Sequence, residues 1–473
     1  MHVCVLGAGI VGLATAWQLE RQGHQVTVID RAAPGAGASG GNGAQLSYSY
    51  VQPLADPSIW RQLPKLLLSP SSPLKLRPQL DPLQWRWGLA FLAACNARDS
   101  RDTTAQLLAL AALSRTGFEA MQADVAPDCD FSATGKLVLY ASAASLEGAR
   151  AQLELQRTMG SEQRIVSPDE CVAIEPALAD YRDQMAGAVY TPSECAADCL
   201  KVCAELQRVL GARGVRFLIG TDVHGFARSN GRVAAVNTSA GDIEADAFVM
   251  ALGSASHKLG RALGPYLPVY PLKGYSITVE VDPSPGAAPR VNVTDSARKV
   301  VFARIGSRLR VAGMAELVGH DASIPATRIE TLAAATRALF PHASRLEELH
   351  PWTGMRPATP KGLPIIGRLP GAPSNMLFNT GHGAPWAGRG AGRWLHGPFG
   401  RQQQGRRAGT GAAHSGAGAC AAVRGQARFG GGARHHALHA RGDRAGGLTL
   451  RLTLRGWRIT APLKCAAPSR RPA

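Results

Sequence analysis

The first thirty residues combine short apolar runs with a glycine-rich turn. His2–Leu6 is a β-rich run, and the segment from Gly7 to Gly12 follows it at once. Leu13–Leu19 continue with helical spacing, and Gln25–Asp30 form a second β-rich run. Because these periodicities follow each other in this order, the pattern predicts a strand, a glycine turn, a helix and a second strand.

The glycine turn has the spacing Gly-x-Gly-x-x-Gly. In this spacing Gly7 permits a tight turn, Gly9 lets a pyrophosphate approach the backbone, and Gly12 lets the helix pack closely on the strand. The helix N-terminus offers N–H groups to a diphosphate, and Asp30 is placed to accept hydrogen bonds from a ribose. The segment predicts a dinucleotide site common to FAD and NAD proteins; the alternative is a glycine-rich turn in another α/β protein. The predicted cofactor contacts here are Val3, Gly7, Gly9, Ile10, Val11, Gly12, Asp30 and Arg31.

Composition sets the broad class of the protein. A chain of 473 residues with 45% hydrophobic residues is long enough for two or three domains and too apolar to be disordered. No apolar run reaches the roughly 18 residues that span a bilayer. The strand-like run directly after Met1 argues against a signal peptide, and nine Cys without a CxxC pair suggest reduced thiols. We therefore expect a cytoplasmic protein.

The net charge of +18 is confined to the C-terminal part of the chain. Residues 384–473 contain 16 of the 52 Lys and Arg but a single acid, Asp443, so residues 1–383 carry only +3. An RNA-binding tail would need aromatic residues repeated among the arginines, and only Phe399, Phe429 and Trp457 follow residue 395. The composition therefore argues against a nucleic-acid partner.

Five further motifs occur in order along the chain. Together with the N-terminal turn, they resemble the FAD-dependent D-amino-acid dehydrogenases of the small-subunit type, within the D-amino-acid oxidase and glycine/sarcosine oxidase superfamily. The resemblance covers residues 1–383 and implies FAD as the cofactor and oxidative deamination of a D-amino acid to a 2-oxo acid and ammonia. It leaves a glycine/sarcosine-type amine oxidase, or an inactive relative, as alternatives. The five motifs are Ala38–Gln45, Tyr270–Ser276, Arg310–Glu316, Trp352–Pro357 and Phe378–Gly383.

The resemblance also implies roles for individual residues. Arg356, in Gly354-Met-Arg356-Pro357, would bind the substrate carboxylate, for which a planar guanidinium is well suited. Tyr275 and Tyr270 are candidates for closing the substrate pocket, or are core residues. No general base is assigned, since hydride transfer from the α-carbon does not need a strong one. The further cofactor contacts implied are Asn42, Gly43, Gln45, Val223, Ala251, Gly253, Gly381 and Gly383.

Two other patterns permit more than one interpretation. Cys195, Cys199 and Cys203 would lie along one helical face, which suits core packing better than a metal site, so no metal is predicted. The Trp-, Leu- and base-containing segments 60–68 and 85–92 suit either a peripheral membrane contact or a buried amphipathic helix. The resemblance implies an electron acceptor such as a respiratory quinone. A location at the inner face of the cell membrane is therefore also open.

The predicted fold is α/β, with an α+β substrate part. A Rossmann-type FAD-binding domain from 1–50, 165–262 and 350–395 is interleaved with a mixed-sheet substrate domain from 51–164 and 263–349. The stretches 384–389 and 396–473 depart from the family pattern, and their Arg, Gly and Ala content is typical of GC-rich codons. We interpret them as out-of-frame translation, which predicts a disordered or aberrant C-terminal tail.

Overall fold

The computed structural model describes residues 1–49, 53–60, 74–157 and 162–383, together with three strands near the C-terminus. The strands of the body, within the compact unit Met1–Ala408, are β1 (His2–Leu6), β2 (Gln25–Asp30), β3 (Gln45–Leu46), β4 (Leu74–Leu76), β5 (Lys136–Tyr140), β6 (Arg164–Val166), β7 (Gly187–Thr191), β8 (Cys195–Ala196), β9 (Arg216–Ile219), β10 (Val223–Ser229), β11 (Arg232–Thr238), β12 (Gly241–Glu244), β13 (Ala247–Met250), β14 (Tyr270–Glu280), β15 (Asn292–Asp295), β16 (Val300–Ile305), β17 (Arg308–Leu317), β18 (Pro351–Ala358), β19 (Ile365–Gly367) and β20 (Met376–Thr380). The described helices are α1 (Ile10–Arg21), α2 (Pro82–Ala94), α3 (Ala97–Val125), α4 (Ala143–Arg157), α5 (Pro168–Ile174), α6 (Cys199–Ala212), α7 (Ser256–Gly260) and α8 (Ala326–Leu339).

A six-stranded sheet contains the predicted strand–turn–helix–strand unit. Its order is β19-β20-β13-β1-β2-β9, and every pair is parallel except β19 with β20. Val3 and Val5 pack in the core that contains α1 and α6, whereas Cys4 and Leu6 pack with residues of β11 and β13 on the other face. Because both faces are covered, β1 is buried and apolar from Val3 to Leu6, as expected for a central parallel strand.

A larger, mostly antiparallel sheet makes up the second layer. Its order is β18-β14-β17-β16-β15-β5-β7-β6, with β4 added against β17. One face of this sheet packs on α8 through a core that includes Ile277, Val311 and Leu332. The predicted fold class, a Rossmann-type sheet combined with a mixed sheet, is confirmed.

The predicted domain boundaries differ from the sheet membership at three strands. The prediction assigns most of 164–191 and all of 350–358 to the FAD-binding domain, but β6, β7 and β18 belong to the larger sheet. Sequence spacing does not show which neighbour a strand pairs with, because pairing depends on residues far away in the chain. The division into two domains therefore stays a prediction.

The C-terminal tail is described only in part. In the unit Gly409–Ala473, the strands β21 (His439–Gly442), β22 (Leu448–Leu454) and β23 (Trp457–Leu463) form an antiparallel sheet of their own. The other residues of 384–473, and so the predicted frame changes near 384 and 396, lie outside the described residues.

Candidate active site

A cavity of about 1210 Å³ lies where the ends of β1 and β2 face the larger sheet. The turn after β1, the loop 35–45, and strands β14, β17 and β18 all contribute lining residues. Ligands commonly bind at the carboxyl ends of parallel strands, and small-ligand pockets usually measure about 300–1,000 Å³. The volume is therefore sufficient for a dinucleotide together with a small second ligand.

The three glycines of the turn have different structural roles. A Cβ at Gly7, where φ is +111°, would lie 2.4 Å from the Ala251 carbonyl oxygen, and one at Gly12 would lie 1.8 Å from the Gly7 carbonyl oxygen. Those two positions are therefore restricted by the chain itself. A Cβ at Gly9 would meet only the Ser39 Oγ, at 3.5 Å. Because the chain leaves Gly9 room and Gly9 lines the cavity, its lack of a side chain fits a diphosphate held against the N-terminus of α1.

Asp30 connects the turn to the end of β2. Its Oδ2 accepts a hydrogen bond from the Ala8 N–H at 2.7 Å, and its Oδ1 accepts one from the Ala32 N–H at 3.0 Å. The carboxylate also lines the cavity, so its remaining lone pairs can accept hydrogen bonds from ribose hydroxyls.

The loop Ala38–Gln45 is held by residues of the larger sheet. The Ser276 Oγ donates to the Gly41 carbonyl at 2.7 Å, and the Arg310 Nη1 donates to the Asn42 carbonyl at 3.0 Å. The Trp352 indole lies so close to Gly41 that a Cβ there would be 2.4 Å from it. The sequence motifs predict no individual role for Ser276, Arg310 or Trp352, although each residue lies in one of them. Their position in those motifs is the only sequence signal that could have identified them as site residues.

Arg356 lies on the cavity-facing side of β18, opposite Leu272 of β14. Among the described residues, no group accepts a hydrogen bond from its guanidinium and no acid forms an ion pair with it. Burial lowers its pKa from the ordinary value, but arginine stays charged at physiological pH. The cavity thus contains a cation without an internal partner in the described chain, as a carboxylate-binding site requires.

The charges around the cavity favour anionic ligands. Among the described lining residues, five Lys and Arg are opposed by the three acids Asp30, Asp56 and Asp222. Burial lowers the pKa of Lys136 to about 8, while the nearby Glu194 carboxylate opposes that shift. The basic lining residues are Arg31, Lys136, Lys258, Lys299 and Arg356.

Most of the residues predicted for the site line this one cavity, and their contacts with a cofactor stay predictions. The predicted residues brought together are Gly7, Gly9, Ile10, Val11, Asp30, Arg31, Asn42, Gly43, Gln45, Val223, Ala251, Gly253, Arg356 and Gly383.

Five predicted residues do not line the cavity in the described structure. One is Tyr270, which is buried in a core cluster with Leu272. Val3 is fully buried inside β1, Gly12 packs against Gly7, and a Cβ at Gly381 would face Thr359. Tyr275 lies on the face of β14 opposite the cavity, where its hydroxyl donates to the Glu316 Oε2 at 2.7 Å. Of the two interpretations of Tyr275, the structure therefore favours a core residue over one that closes the pocket, because strand alternation turns the side chain away from the pocket.

The cysteine pattern also differs from the prediction. Cys195 belongs to β8, and α6 begins at Cys199, so only Cys199 and Cys203 share a helical face. In the part of the chain that the structure describes, no group of three His, Cys, Asp or Glu side chains is placed to hold a metal ion.

The fold and the cavity together define a dinucleotide-binding α/β protein whose cavity also contains the Arg356 guanidinium. The family model described as FAD dependent oxidoreductase matches residues 2–395. The chain belongs to this family, and the prediction of FAD rather than NAD is confirmed.

Curated relatives agree with the family resemblance in the sequence. The chain is 47% identical over 395 residues to D-amino acid dehydrogenase 2 of Ralstonia nicotianae, covering 81% of this chain and 92% of that protein. It is 42% identical over 386 residues to D-amino acid dehydrogenase 2 of Pseudomonas aeruginosa, covering 81% and 90%. The similarity thus extends over nearly the full length of these relatives.

Solved structures share the fold at low sequence identity. Glycine oxidase from Geobacillus kaustophilus has a TM-score of 0.66 at 21% identity, covering 83% of this chain and 92% of that one. The FAD-bound L-alpha-glycerophosphate oxidase from Mycoplasma pneumoniae has a TM-score of 0.59 at 14% identity, with the same coverage. None of the helices in the described part of this chain combines the length and the hydropathy needed to cross a membrane.

Proposed function

We propose that the protein oxidises D-amino acids to 2-oxo acids and ammonia. The observation that carries this proposal is the unpaired Arg356 guanidinium, which shares a cavity with the dinucleotide turn. Every amino acid presents a carboxylate, and a guanidinium binds it through two parallel hydrogen bonds that fix its orientation. The D-configuration of the substrate is inferred from the names of the curated relatives.

The residues of the site suit this reaction. When FAD is bound, it supplies a two-electron acceptor for the hydride of the substrate α-carbon. Arg356 orients the substrate by its carboxylate. The substrate amine reacts in its neutral form, so that its lone pair forms the C=N bond of the imino acid as the hydride leaves the α-carbon. Water then hydrolyses the imino acid to the 2-oxo acid and ammonia. No protein base is needed at the α-carbon.

Anaerobic mixing of the flavin-loaded protein with D-alanine tests this activity. We expect D-alanine to bleach the flavin absorbance and to yield pyruvate and ammonia, whereas L-alanine at equal concentration should leave the spectrum unchanged. Bleaching by glycine or sarcosine in preference to D-alanine would favour the amine-oxidase alternative. Bleaching by L-alanine, or by none of these amines, would contradict the proposal.

We infer that the protein contacts the cytoplasmic face of the cell membrane and passes electrons to a lipid-soluble quinone. Helix α2 has two different faces: Trp87 is buried and stacks on Phe91, whereas Trp85 and Leu89 are 53% and 68% exposed. Trp60 is also exposed and donates a hydrogen bond from its indole to the Cys95 carbonyl at the end of α2. Exposed Trp and Leu beside the base Arg86 suit the headgroup region of an anionic bilayer. All seven described cysteines are free thiols, in keeping with a reducing compartment.

Replacing Leu89 with Glu should weaken membrane binding, because it places a charge in this apolar face. We expect the fraction that co-sediments with phosphatidylglycerol-containing vesicles to fall at least about tenfold, with dye-linked activity unchanged. Ile324→Glu is the matched control, since Ile324 is 40% exposed and lies outside α2. Equal sedimentation of the two variants, or no binding of the unmodified protein, would refute this membrane surface.

A further inference from the structure

The guanidinium of Arg356 lies directly over the backbone of Gly274. In the β14–β18 pairing, Leu272 is opposite Arg356 and Gly274 is opposite Gly354. A Cβ at Gly274 would be 2.7 Å from the Arg356 Nη2 and 3.0 Å from its Cζ. The side chain of Arg356 therefore bends along the sheet into the space that the glycine leaves.

The backbone of Gly274 does not itself require glycine. Gly274 is absent from the residues with positive φ, so its conformation is accessible to alanine. The space taken by the guanidinium is the reason for a glycine at this position.

A β-bulge lies on the other side of Gly274. Lys273 pairs with Glu316, and Tyr275 pairs with Gly313. Two residues of β17, Met314 and Ala315, therefore stand opposite Gly274 alone. Met314 has a φ of +62°, a left-handed conformation that is rare for a residue with a large side chain.

The bulge decides which side chain of β17 faces the cavity beside Arg356. Ala312, before the bulge, lines the cavity, so strict alternation would place residue 316 on the same face. The extra residue reverses this alternation. Both bulge residues, Met314 and Ala315, line the cavity, whereas Glu316 accepts from the Tyr275 hydroxyl and pairs with Arg328 at 2.5 Å on the opposite face.

We propose that Gly274 and the bulge at Met314–Ala315 together form a seat that makes Arg356 available to an external carboxylate. Gly274 positions the guanidinium, and the bulge directs the nearest acid of the neighbouring strand away from it. Gly274 and Ala315 are thus positioning residues. The inference rests on the proposed role of Arg356 and extends it to the residues that set carboxylate selection.

Two substitutions at Ala315 separate charge from size. Ala315→Glu and Ala315→Gln add side chains of the same shape, but only Glu brings a carboxylate over Gly274 towards the Arg356 guanidinium. We expect the KM for D-alanine to be at least about 100-fold higher in Ala315→Glu than in Ala315→Gln, with equal flavin content. The dissociation constant of propionate, measured from its perturbation of the flavin spectrum, should rise by a similar factor because propionate presents only the carboxylate.

Gly274→Ala tests the seat independently. The added methyl should displace the guanidinium and raise the KM for D-alanine and the dissociation constant of propionate at least about tenfold. Flavin content and Tm should match those of Gly225→Ala, a strand glycine at which a Cβ would meet nothing nearer than 3.7 Å. This variant also carries the test by itself if Ala315→Glu does not retain flavin.

Failure of this inference is distinguishable from failure of the proposed function. If Arg356→Ala loses propionate binding while Gly274→Ala and Ala315→Glu bind as the unmodified protein does, the seat is refuted and the role of Arg356 stands. If Arg356→Ala also binds propionate normally, both are refuted. Loss of propionate affinity in all three variants, with flavin retained, supports the seat.

Discussion

Arg356→Ala is expected to leave FAD bound while slowing anaerobic flavin reduction by D-alanine at least about a hundredfold. The guanidinium has no partner among the described residues, so its removal leaves no internal acid unpaired. What is lost is a charge-assisted, partly buried contact with the substrate carboxylate, worth on the order of 3 kcal/mol. Because about 1.4 kcal/mol corresponds to a factor of ten, this loss gives the stated factor.

Stopped-flow absorbance at the flavin band measures this rate directly. Arg304→Ala is a suitable control, because Arg304 lies in β16 outside the cavity and its Nε donates only to the Gly306 carbonyl among the contacts that the structure describes. An Arg356→Ala protein reduced as fast as the control would show that another group holds the carboxylate.

The second large effect on activity is expected from a change in the reading frame of the coding DNA rather than from a single substitution. We propose that residues 384–389 and 396–473 are translated out of frame, and that restoring the frame from codon 384 onward raises both flavin occupancy and D-amino-acid oxidation. The family match ends at residue 395, where the departure from the family pattern resumes. His382 and Gly383, directly before the altered stretch, line the cavity. The family resemblance implies that backbone N–H groups just after Gly383 stabilise negative charge on the flavin, and proline at position 385 has no N–H to donate.

The frame proposal is tested by comparing the chain as written with the frame-restored chain, prepared side by side. The flavin-to-protein ratio and the rate of dye reduction are the quantities to compare. A third chain that ends after residue 395 shows whether the basic tail itself interferes. Equal values for the first two chains would mean that 384–473 is a genuine and tolerated C-terminus.

The parts of the site that the sequence predicts are those fixed by local geometry. Gly7 and Gly12 have to be glycine because atoms of the turn and the adjoining strand end occupy the space of a Cβ, so spacing alone identifies them. Arg356 is identified by a short motif in which it directly precedes a proline. Each of these signals lies within a few residues of chain.

The parts that the sequence does not predict depend on pairing between distant strands. Tyr275 follows Gly274 directly, yet the two lie on opposite faces of β14, and only the register with β17 and β18 shows which face forms the cavity. The bulge at Met314 is likewise invisible in a single strand, because it is defined by the mismatch with its partner. Simple alternation along β17 would predict that Glu316 faces the pocket. Because of the bulge, Glu316 lies on the opposite face.

The position of β20 has a consequence for synthesis on the ribosome. Leu6 of β1 and Met250 of β13 are neighbours in the six-stranded sheet, and β13 pairs on its other side with β20, where Phe248 is opposite Met376. At about 5–20 residues per second, roughly 20 to 75 s separate the emergence of β1 from that of β20. During that interval the nascent chain first exposes the edge of β1 that pairs with β13, and then the edge of β13 that pairs with β20. We therefore expect production of this protein to depend on chaperone protection of the nascent chain more than that of a protein whose first strands pair with their immediate successors.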